Sequence, residues 1–136
     1  MAGGGLMEQE KRSEMASGID ILLSMQRRFQ EEHGFDFWKL PEEKRRDMFI
    51  RTLFAAISEL AEAGDEVNKW WKKGSREPEA LMLKKAKILE EMIDCLHFFI
   101  ASLLMLGADG KEVADAYMRK MAVNFERQKK GELGYV

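Results

Sequence analysis

Cysteine is almost missing from this chain. Cys95 stands alone among 136 residues, so no intrachain disulfide can form, and a lone thiol suits a reducing, cytoplasmic compartment. Proline is scarce too: Pro41 and Pro78 are the only two, which leaves long stretches where a helix meets no breaker. Neither sign of charge dominates. With 22 Lys plus Arg against 24 Asp plus Glu the net charge is −2, which argues against a polybasic surface for nucleic-acid polymers or membranes. A long hydrophobic run is also lacking. The strongest, 92–106, spans 15 residues and carries Asp94 and His97. A membrane span needs about 20 apolar residues, so this run reads as a buried core helix. The Gly-rich opening is followed by charged residues and no apolar stretch, so no secretory signal is expected.

What is present is a globular balance, 46% hydrophobic and 34% charged, at a length that suits one domain. Residues 1–16 are Gly-rich and then charged, and are expected to be a flexible segment ahead of a domain over 17–136. Ile19, Leu22, Met25 and Phe29 recur at three and four and predict a first helix ending at Gly34. Pro41 with Glu42 and Glu43 reads as the start of a second, running to about Lys72. A third is expected over 79–106, stopped by Gly107, and a fourth from Asp109, with Glu112 three residues on, to about Lys130. The fold class is all-α, a four-helix bundle.

Two of these helices carry acids where a core should be. Glu59 and Glu62 are three apart and share a face, with Glu66 one turn further, among the small residues Ala55, Ala56, Ser58, Ala61, Ala63 and Gly64. Glu91 and Asp94 repeat the spacing between Ile88, Ile93, Cys95, Leu96 and Phe98. A lone pair of acids at this spacing is ordinarily a solvated face. Two pairs in small or apolar surroundings need another explanation, because a desolvated carboxylate is costly unless paired or bound to metal. Facing each other, they would offer four oxygen ligands to a hard divalent cation such as Mg²⁺.

Glu59-Leu-Ala-Glu62, 28 intervening residues and Glu91-Met-Ile-Asp94 resemble the ExxE…ExxD signature of the all-α nucleotide pyrophosphohydrolases, which include MazG-like enzymes and dimeric dUTPases. Asn68-Lys-Trp-Trp-Lys72 is similar to the segment after the first acid pair in dimeric dUTPases, and Asp94-Cys-Leu-His-Phe98 to their Asp-x-Leu-His-Phe. Lys120, Asn124, Arg127 and Gln128, with Gly134-Tyr135 beyond, resemble their C-terminal nucleotide motif. Gln26, Phe29 and Gln30 resemble the first-helix segment that reads the base. Gln30 stands where a shorter Asn or Asp is usual, and the spacing to Tyr135 is extended.

The resemblance implies a MazG-like bundle and Mg²⁺-dependent hydrolysis of dUTP to dUMP and pyrophosphate. Glu59, Glu62, Glu91 and Asp94 would be the metal ligands, with Glu62 or Glu59 acting on the attacking water. Lys69 and Lys72 would hold phosphates; Lys120, Asn124 and Arg127, at i, i+4 and i+7, would meet phosphate and sugar. Gln26 and Gln30 would read a pyrimidine edge. Trp71, His97 and Tyr135 would line the nucleotide. Other readings stay open: a house-cleaning enzyme acting on dCTP or other (d)NTPs, a di-iron bundle suggested by Glu91-xx-Asp94-xx-His97, and a non-catalytic helical module. Four helices around a ligand-sized space leave little core, so a homodimer or homotetramer is expected.

Overall fold

The computed structural model describes residues 2–67 and 80–131, and every regular element among them is helical. In chain order these are α1 (Ala2–Glu32), a 3₁₀ turn (Phe37–Lys39), α2 (Glu42–Val67), the single turn α3 (Ala80–Leu83), α4 (Lys85–Met105) and α5 (Gly110–Lys129). The all-α class is as expected. Four long helices are present, and no single helix among the described residues is long and apolar enough to cross a membrane. The chain divides into two compact units, one of residues 26–106 and one of 1–25 with 107–136.

In the 26–106 unit α2 packs along α4. The buried or half-buried positions of α2 include Thr52, Ala56, Glu59, Ala63 and Glu66, and those of α4 include Ile88, Glu91, Cys95, Ser102 and Met105. The α2 set steps by three and four and the α4 set by three, four and seven, the spacing of a packing seam. Small residues at 56 and 63 let the two backbones come close, and Thr52 disposes of its hydroxyl by donating to Met48 O at 2.8 Å. Within this unit α1 stops at Gly34 (φ 74°), where Phe35 N donates to Gln30 O at 2.9 Å. That 6→1 bond is the usual termination for a glycine in the left-handed region. Asp36 then caps the 3₁₀ turn by accepting from Trp38 N, Phe37 is buried, and the Arg45 guanidinium lies 5.4 Å from the centre of the Trp38 ring.

The third helix expected over 79–106 differs in its start. It is broken at Lys84 into α3 and α4, and the Lys84 Nζ donates to Glu66 O near the end of α2 at 2.8 Å. A side chain that satisfies a helix-end carbonyl offsets the interruption.

In the other unit Asp109 caps α5 by accepting from Glu112 N at 2.8 Å, as the spacing predicted. Asp20 Oδ1 accepts from Gly110 N at 2.7 Å, and Arg12 pairs with Asp115 at 3.5 Å. The first helix begins at Ala2 and not near Ser17, and the Arg12 ion pair comes from that added length. Gly110 is required there: a Cβ would fall against the Ala16 carbonyl and the Asp20 carboxylate.

Candidate functional site

The α2–α4 seam places Glu59 and Glu91 among mostly small or apolar positions, with Glu66 as a further acid. Glu62, one turn after Glu59, stands at the exposed edge. Carboxylate oxygens of Glu59, Glu62 and Glu91 all lie within 4.8 Å of one another. Three like charges so close cannot all be held ionised at no cost. The Glu59 charge, and then a hydrogen bond with Glu91, raise the Glu62 carboxyl above its ordinary range. Glu91 moves the other way: Lys87, one turn earlier on α4, sits with its Nζ 3.1 Å from Glu91 Oε1 and holds that carboxyl low. The cluster is thus short of positive charge. Its donors are oxygens only, with no histidine among them, which is the chemistry of a Mg²⁺ site more than of a zinc or di-iron one. Asp94, the fourth expected ligand, is half-buried one turn further along α4 and is not part of this three-residue group. Three residues of helix carry it about 4.5 Å past Glu91.

The other expected site residues, His97 of α4 apart, lie on other segments of the chain. Gln26 and Gln30 are half-buried on one face of the end of α1. Gln30 lines a cleft with Arg27, Phe35, Trp38, Leu104 and Met105. The cleft holds about 110 Å³, well below the roughly 300–1,000 Å³ of ligand pockets. Leu104 follows Glu91 by 13 residues of unbroken helix. At 1.5 Å per residue the cleft therefore lies about 20 Å along α4 from the carboxylates. His97 is exposed, and the structure gives it no place in the core. Lys120 and Arg127 are exposed and Asn124 half-buried along one face of α5, in the unit formed by 1–25 and 107–136. Lys69, Trp71, Lys72 and Tyr135 lie outside the described residues. Lys87 was missed by the sequence reading. Its only signal there is the i, i+4 spacing to Glu91, which ordinarily marks a surface ion pair.

A family model described as dUTPase matches residues 18–105, which include both acid pairs. The chain belongs to the dUTPase family. Among curated proteins it is 28% identical over 90 residues to the dCTP pyrophosphatase of Enterobacteria phage LZ5, covering 60% of this chain and 52% of that protein. The chain thus spans about half the length of that relative. No solved structure matches it.

Proposed function

We propose that the protein is a Mg²⁺-dependent dUTP diphosphatase that hydrolyses dUTP to dUMP and pyrophosphate. The observation that carries the reading is the convergence of Glu59, Glu62 and Glu91 across the α2–α4 seam of a dUTPase-family chain. Glu59, Glu62 and Glu91, joined by Asp94, would hold Mg²⁺. Bound there, the ion supplies charge neutralisation for phosphate oxygens and acidification of water. Glu62 takes the proton of the attacking water. Its exposed edge position suits a general base better than the seam position of the Lys87-paired Glu91 does. Water oxygen adds to phosphorus as the bond to the α–β bridging oxygen breaks, and pyrophosphate departs. Lys69, Lys72, Lys120, Asn124 and Arg127 bind the phosphates and sugar. Gln26, Gln30, Trp71, His97 and Tyr135 contact the base end, and residues 17–136 work as one domain.

The working unit in this reading is a homodimer or homotetramer. α2 carries a second stripe, Ile50, Leu53, Phe54, Ile57 and Leu60, that is exposed, with Phe54 at 65% and Ile57 at 61%. On α4 Leu89, Met92, Ile93 and Phe99 are exposed as well. Apolar surface on that scale marks an interface, and a second copy is its natural cover. The Gln30 cleft and the carboxylates are too far apart in one chain for a single nucleotide, which also favours sites completed between copies. The single cysteine fits a cytoplasmic setting.

The phage relative supports a second reading, in which the base is cytosine. Pyrophosphate release from dUTP, dCTP, dTTP and UTP, with and without Mg²⁺, separates the two. A marked preference for dUTP is expected. Preference for dCTP would move the assignment to the second reading, and equal turnover of all four would remove base selectivity altogether.

A further inference from the structure

The carboxylate cluster already contains a cation of its own. Lys87 reaches it from α4, with Nζ 3.1 Å from Glu91 Oε1 and 3.7 Å from Glu90 Oε2. The two partners are unequally exposed: Glu91 is 9% exposed, whereas the Lys87 side chain is 53% exposed. Glu91 is fixed in the seam, and the ammonium arrives on a flexible stem from the solvent side. The pairing therefore commits an anionic oxygen of the same glutamate that completes the three-carboxylate group. A divalent cation drawn to the three carboxylates meets the ammonium at Glu91, where the two positive charges oppose each other. Of the two, the ammonium is the one free to leave, because its stem packs in no buried place and can swing without disturbing α4.

We propose that Lys87 is a built-in counter-ion for Glu91, which a divalent cation must displace, and that it thereby sets the cation affinity of the cluster. The inference rests on the metal reading given above. It makes Lys87 a positioning residue that holds the metal-free cluster together and lowers its grip on metal. Lys85 supplies the control. It lies on the same helix two residues away, about 200° around the axis, so its removal changes net charge equally without touching Glu91.

The test is calorimetric titration of Mg²⁺ alone, and of Mn²⁺ alone, into the full chain at fixed ionic strength, with thermal unfolding alongside. Lys87→Met should bind the cation on the order of two- to fivefold more tightly, the range an exposed ion pair is worth. Lys87→Arg should stay close to wild type, and Lys85→Met should shift by less than about twofold. Without metal, Lys87→Met should unfold at a lower temperature than wild type, and saturating Mg²⁺ should close that gap. Unchanged or weaker cation binding by Lys87→Met overturns the inference, as does an equal gain in Lys85→Met. Absence of cation binding by the wild type would instead overturn the metal reading itself, so the two failures are distinguishable.

Discussion

Glu91 shows what a single position can be asked to do. It occupies a buried site on α4 within reach of Glu59 and Glu62, and Lys87 beside it holds its carboxyl low. Glu91→Gln keeps the shape and removes the charge, so the fold should survive while Mg²⁺ affinity falls by an order of magnitude or more; calorimetry checks this. Asp115 is a second case, away from the site. Lys111, and then Arg12, hold its carboxyl below the ordinary value of 3.8. A carboxyl depressed in the folded state adds stability that is complete above its unfolded value and is lost as pH falls through the folded one. Asp115→Asn should therefore flatten the acid side of the unfolding-temperature profile below about pH 4 and leave the slope above pH 5 unchanged. The acids were readable in the sequence because a charge within an apolar run is conspicuous. Lys87 was not, since a lysine four residues before a glutamate looks the same on any solvated helix.

At the scale of elements, the α2–α4 pair follows from its three-and-four pattern, and the caps at Gly34 and Asp109 follow from local chemistry. What was hidden depends on distant partners. The break at Lys84 is stabilised by a carbonyl 18 residues earlier, and the long start of α1 by contacts such as Arg12 with Asp115, far apart in the chain. No window of local propensity holds that information. Two substitutions probe these elements. Ala63→Leu puts a large side chain where Ala63 is 5% exposed between α2 and α4, and should cost about 1–3 kcal/mol in thermal or denaturant unfolding. Gly110→Ala forces a Cβ against the Ala16 carbonyl and should destabilise by a similar amount. A neutral result at Gly110 would show that α5 starts differently.

For the whole molecule, a near-zero net charge conceals a local concentration of acid between two helices, and the family match gives that concentration a chemical context. The exposed stripe of α2 belongs to the same scale. Replacing Phe54 and Ile57 together with Glu should reduce the sedimenting mass to that of a monomer, and an unchanged mass would place any interface elsewhere. The central claim is that the facing carboxylates support metal-dependent cleavage between the α and β phosphates. The most direct measurement is product analysis of dUTP turnover by wild type and Glu62→Gln, with Mg²⁺ and with chelator. The account predicts dUMP and pyrophosphate in equal amounts, only with Mg²⁺, and loss of at least about a hundredfold in rate for Glu62→Gln. Formation of dUDP and phosphate, turnover without metal, or full activity in Glu62→Gln would contradict it.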